Sequence, residues 1–140
     1  MSKSNTFEND ILKLIFNNVD IADIGDAGGL QNSATAGSLY VALHTADPGE
    51  AGNATTNEAA HTSYARVAVT RDGAGWTVSG NSATNTALIQ FPECTGGSET
   101  ITHVSITTAS SGTSKILYSG ALSASRSVSS GIQPQFAANA

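Results

Sequence analysis

Three histidines and eleven acidic residues are the raw material for chemistry in this 140-residue chain. The sharpest cluster is His44, Asp47 and Glu50, where the apolar run LYVALH gives way to TADPGE. One histidine and two carboxylates could bind a metal or share a proton, but the ligands must converge on one point. Asp47-Pro48-Gly49-Glu50 instead reads as a β-turn. Proline presets φ at the second position, glycine accepts positive φ at the third, and aspartate bonds back to the backbone. The turn accounts for Asp47 without a ligand. His44, opposite Leu43 in a period-two run, reads as an exposed or interface histidine.

Other combinations fail for similar reasons. His44, His61 and His103 never form HxH or HxxxH, and the single cysteine, Cys94, rules out an internal disulfide, a cysteine zinc cluster or a redox pair. Asp20, Asp23 and Asp26 lack the alternating spacing of a calcium loop. Asp72, Glu93 and Glu99 could pair for glycoside hydrolysis, but they lie in predicted turns without an aromatic platform, and Trp76 is assigned to the core. No G-x-S-x-G elbow, phosphate loop, dinucleotide fingerprint or H-E-x-x-H is present. The expectation is no enzyme, no metal and no cofactor.

The elements that would position these residues are mostly strands. SNTFENDILKLIFNN predicts a helix capped by Asn5, with Glu8 completing a capping box and the end near Asn17-Asn18. Phe7, Ile11, Leu14 and Ile15 form its apolar stripe. At about three turns it is marginal alone and must dock, on its own sheet or on a neighbour. Residues 19–37 read as an irregular linker. From Ser38 the period becomes two, through SLYVALH, YARVAVTR, GWTVSG, Ala83–Phe91, Ile101–Thr107 and Lys115–Leu122, with weaker runs around Val128 and Ile132–Phe136. Glycine- and serine-rich turns separate them. Pro134 marks the last strand as an edge or a break. This spacing predicts a mainly β fold, an antiparallel β-sandwich (Ig-like or jelly-roll-like) behind a short N-terminal α-helix. The domain division expected is an arm, 1–37, and a β-sandwich, 38–140. Residues 46–63 show no strand or helix pattern, and a loop this long reads as a contact loop ordered by a partner. Asp47, Pro48, Glu50 and His61 are its candidate contact residues, and Phe7, Ile11, Leu14 and Ile15 are the candidate docking residues of the helix.

Composition narrows the function further. The net charge is −5, with eight acids against two lysines in residues 1–60 and three acids against four bases in 61–140. With no basic cluster, nucleic acid is not an expected partner. No run approaches the roughly 18 apolar residues of a membrane span. The lead to Ile11–Phe16 is acidic and asparagine-rich, unlike a signal peptide, so synthesis in a cytoplasm is expected.

Five stretches carry a resemblance over nearly the whole chain: SATAGSLYVALHTADPGEAG, TNEAAHTSYARVAVTR, GWTVSGNSATN, FPECTGGSETITHVSI and KILYSGAL. Together they resemble a family of small tailed-bacteriophage structural proteins, often labelled tail-fibre or hypothetical virion proteins. LHTADPGE and YARVAV are the most specific parts, and the family offers no catalytic residues to carry over. The resemblance implies a virion component made in the host bacterial cytoplasm. The leading expectation is a capsid decoration or cement protein that binds the assembled shell. Its partners would be the major capsid protein and further copies of itself, with a trimer as the form that matches the three-fold sites of a capsid. The alternative is a host-recognition module of a tail fibre or baseplate that binds a receptor or glycan.

Overall fold

Asn5–Asn17 form the single helix, α1, in a computed structural model that describes residues Met1–Ala140. Its cap is Ser4, one residue earlier than the sequence suggests. The backbone N–H of Phe7 donates to Ser4 Oγ at 3.3 Å. Serine and asparagine cap about equally well, so neighbours of both types leave the start ambiguous by one position. With Ser4 as cap, Glu8 falls past the box position, and its N–H donates to the Ser4 carbonyl instead. Asn18 ends the helix in the left-handed region, φ 57°.

The strands are β1 Ser38–His44, β2 Val67–Thr70, β3 Trp76–Ser79, β4 Ser82–Asn85, β5 Ile89–Gln90, β6 Ser98–Thr107, β7 Ile116–Ser129 and β8 Gln135–Phe136. They form a four-stranded sheet ordered β2-β1-β6-β7 and two ribbons, β3-β4 and β5-β8. The pairs β1–β6, β3–β4, β5–β8 and β6–β7 are all antiparallel. The chain is therefore mainly β and antiparallel behind one short helix, consistent with a sandwich-like arrangement. No helix is long and apolar enough to cross a membrane.

Two compact units make up the chain. The first comprises residues 1–38, 69–88 and 137–140. In it, Phe16 of α1 packs on Trp76 of β3, with ring centroids 4.9 Å apart. Asn17 Nδ2 donates to the Trp76 carbonyl at 2.9 Å, and Asn9 Nδ2 to that of Gly80 at 2.7 Å. Gly80, with φ +58°, holds the first position of the two-residue turn joining β3 to β4, where a II′ turn calls for glycine. Arg71 closes the helix C-terminus: Nε donates to the Ile15 carbonyl at 2.6 Å and Nη2 to that of Leu14 at 2.7 Å. A cation here meets the negative end of the helix dipole, which α1 itself supplies with no basic residue in its last turn. The linker after the helix is closed on itself. Asn18 Nδ2 donates to the Ser33 carbonyl, Asn18 Oδ1 accepts from the Ser33 N–H, and Asn32 Nδ2 donates to the Asn18 carbonyl. Residues 18–33 thus form an Ω-type loop.

The second unit comprises residues 39–68 and 89–136. Val41, Ala42, Leu43 and His44 of β1 are all buried, so the strand is covered on both faces. On β6 the odd-numbered Ile101, Ser105 and Thr107 are buried. Phe91, 1% exposed, stacks parallel to Tyr64 and meets Phe136 edge-on. Cys94 is fully buried, with its thiol directed at the Gly96 carbonyl. At the sheet's outer edge, β7 keeps one buried side chain, Val128, along its 14 residues. Its register against β6 jumps from Ile101–Arg126 to His103–Ala121, so Leu122–Ser125 bulge out opposite Thr102 alone.

Candidate functional site: the long loop and its polar clusters

The turn that opens the loop forms as its residues dictate. Asp47 Oδ1 accepts from the Gly49 N–H at 2.8 Å, and Gly49 takes φ +68°. Beyond it, the loop is ordered by its own chain. The N–H of Thr45 donates to the Asn57 carbonyl, that of Ala59 to the Leu43 carbonyl, and that of Ala54 to the Ser114 carbonyl. Asn57 Nδ2 donates to the Asp47 carbonyl, and Ala54 and Ala59 are buried. Of the four contact residues expected here, Asp47 and Glu50 are exposed, whereas Pro48 and His61 turn inward. On the helix, Phe7 is exposed and Ile11, Leu14 and Ile15 are half-buried, while Phe16, outside the expected stripe, is the residue that is buried.

His44 departs from the sequence reading. It is fully buried, because the polar partners it needs come from distant segments. Nδ1 lies 2.9 Å from the Thr56 carbonyl and so carries the proton, which leaves Nε2 to accept from Ser105 Oγ at 2.7 Å. Burial pushes its pKa below the ordinary histidine value, because the ring is served as a neutral group.

Arg66 anchors the other face of the loop. Nε and Nη2 make a forked pair with Glu58 at 2.6 and 2.8 Å. Nη1 donates to the Ala109 carbonyl and Ser114 Oγ, and Nη2 also to the Gly112 carbonyl. These are five hydrogen bonds for five donors, so the guanidinium has none left for a ligand. The Glu58 hydrogen bonds raise the Arg66 pKa further. Tyr64 completes the circuit: its hydroxyl donates to Glu58 Oε1 and accepts from the Leu43 N–H. Burial shifts that phenol upward and keeps it neutral. The cleft beside this cluster holds about 260 Å³, below the roughly 300–1,000 Å³ of small-molecule sites.

A second pair ties the end of the loop to β6. His61 Nδ1 and Glu99 Oε1 are 2.5 Å apart, and Glu99 also accepts from the backbone N–H groups of Ala60 and His61. Burial alone would raise the Glu99 pKa, but the His61 ring and these N–H groups outweigh it and lower it. His61 Nε2 is buried with no hydrogen-bond partner, and the side chain has no solvent exposure. The carboxylates considered for glycoside hydrolysis are also committed locally or stand exposed. Asp72 accepts from Thr70 Oγ1 and from the Ala74 and Gly75 N–H groups, Glu99 serves His61, and Glu93 is exposed. No group of three or more metal-ligating side chains converges anywhere.

The sequence reading missed Arg66 and Arg71. The available signal was an arginine at each end of the apolar run VAVT in a chain with few charges, since such an arginine, once buried, demands an acceptor set.

Such closed polar clusters mark a protein that is built to hold shape. Over residues 2–140 the sequence matches the model of a family described as podophage GP4 fiber I protein gp80. The chain belongs to that family. Membership in the gp80 family makes it a structural component of a tailed phage and a member of the virion. No curated protein matches it. As a gp80-family member it presents Asp47 and Glu50 at the loop tip, and it keeps the buried side chains of its ion pairs inside.

Proposed function

We propose that this chain is a fibre subunit of the virion tail, acting through its surfaces without catalysis. Its partners are further copies of itself and neighbouring tail proteins. The observation that carries the reading is the match to a fiber I family along almost the full chain. The local chemistry supports it, because the Arg66–Glu58 and His44–Ser105 clusters of the second unit spend their hydrogen bonds inside the chain. The fibre description supports a tail location more directly than the capsid decoration expected from sequence. Asp47 and Glu50 on the loop and Phe7 on the helix are the proposed contact points.

The test is localisation. Gold-labelled antibody against the purified chain, applied to intact particles, is expected to mark the tail. Label spread over the head would replace this reading with shell decoration and make the major capsid protein the partner. Hydrolysis of host polysaccharide by the purified chain, with multiple turnovers, would overturn the non-enzymatic part.

A further inference from the structure

The three histidines are far apart in sequence, yet all sit where the long loop meets the sheet. His44 ends β1 and faces His103 of β6 in register, and its backbone also bridges to Glu58 of the loop. His61 ties the far end of the loop to Glu99 of β6. Of the three, His44 clamps the loop's middle. Its fully buried ring joins the Thr56 carbonyl to Ser105 Oγ of β6. Beyond bonds among its own residues and its immediate flanks, the segment 45–57 is tied to the chain at one other point, where the Ala54 N–H donates to the Ser114 carbonyl.

The clamp fits a neutral imidazole, with Nδ1 donating and Nε2 accepting. A proton on Nε2 makes both nitrogens donors, and Ser105, 1% exposed, must then turn its own hydroxyl proton elsewhere. The charged groups around the ring give the cation no counter-ion. Glu58, from the loop, favours it, but that carboxylate is already forked by Arg66 and takes the Tyr64 hydroxyl. Arg66, ahead of β2, and His103, on β6, both oppose it. A buried charge without a partner is costly, so the ring must reach water to keep its proton. β1 is laddered to β6 from Tyr40 to His44, which leaves the loop as the part that yields.

We propose that His44 is a proton-operated latch: when its ring gains the second proton, residues 45–57 lift while Glu58, held by Arg66, acts as the hinge and the four-stranded sheet stays folded. The lifting segment carries Asp47, Pro48 and Glu50, so acid changes how these three are presented. The inference goes beyond the fibre reading. Its test reads the loop itself, so it can fail while that reading stands.

Hydrogen exchange of the full chain at about pH 7.5 and about pH 5, on either side of the histidine range, reads the latch once corrected for intrinsic rates. Protection of the Thr45 and Ala54 amides is expected to fall by about tenfold or more, since each pH unit below the free histidine value adds up to tenfold to the open form. In low urea this exchange is expected to be insensitive to denaturant, as local opening exposes little surface, whereas Val104 and Ile106 of β6 respond as global unfolding does. His44→Gln is expected to abolish the pH response, whether or not the glutamine holds the loop down. His103→Gln is expected to keep it. Loop protection that ignores pH in the wild type overturns the proposal. So does a loop that opens with the urea slope of the sheet, or a pH response that survives His44→Gln or disappears in His103→Gln.

Discussion

Truncating Arg66 removes five hydrogen bonds at once and leaves the Glu58 carboxylate largely buried without its cation. Breaking such a pair from one side costs about 3–5 kcal/mol. We place Arg66→Ala near the lower end, because the Glu58 side chain keeps 16% exposure. Arg66→Lys should rescue little, since an ammonium offers three donors and cannot fork onto a carboxylate. Urea unfolding of both variants measures this, and a loss under about 1 kcal/mol for the alanine variant would show that the cluster is incidental. Arg66 also shows where sequence reading stops. Its partners at Glu58, Ala109, Gly112 and Ser114 lie up to 48 positions away, and no local pattern announces them. His44 was misread for the same reason, because Ser105 is 61 positions off. The Asp47–Glu50 turn was legible because every atom that shapes it is local.

At the scale of elements, α1 is held to the β3-β4 ribbon chiefly by Phe16 on Trp76, with Asn9 and Asn17 as polar pins. Phe16→Ala should therefore cost about 3–5 kcal/mol in the first unit. The emission of Trp76, the sole tryptophan, should shift red as its cover is lost. An unchanged emission maximum would mean that the helix is held by something else. Period-two patterning located β1, β3, β6 and the start of β7, since their apolar residues alternate. It caught the second half of β7 only as a weak run around Val128, because SASRSVS offers almost no apolar side chains to alternate. A strand whose faces stay exposed leaves no hydrophobic trace in its sequence. The helix was legible, yet Phe16 was not singled out, because every residue of an amphipathic stripe looks equivalent until a partner picks one.

For the whole molecule, acid is the condition that works against several features together. The folded pKa of His44 lies below its unfolded value, so the unfolded chain binds protons first as pH falls through about 6.5, and stability drops. Glu99 also has a depressed folded pKa. Its contribution is complete above the unfolded carboxylate value of 4.5 and is lost as pH falls below it. Both slopes have the same sign, so the melting temperature should decline from pH 7 downward, first through histidine and then through the carboxylate. Scanning calorimetry across this range tests the order, and His44→Gln should flatten the upper part while keeping the lower. A melting temperature that rises on acidification to pH 5 would contradict both assignments. The mainly antiparallel class and the virion family were readable from the whole sequence, through turn spacing and the five resembling stretches. Tail or head was not, because nothing in the chain encodes its neighbour.

The lone thiol of Cys94 has a practical consequence. It is fully buried, with its sulfur directed at the Gly96 and Gly97 carbonyls, so an alkylating reagent reaches it only when the segment around it opens. The rate of modification then acts as a built-in clock for that opening, with no engineered label. Should attachment to the virion stiffen this segment, the clock would slow in the particle relative to the free chain.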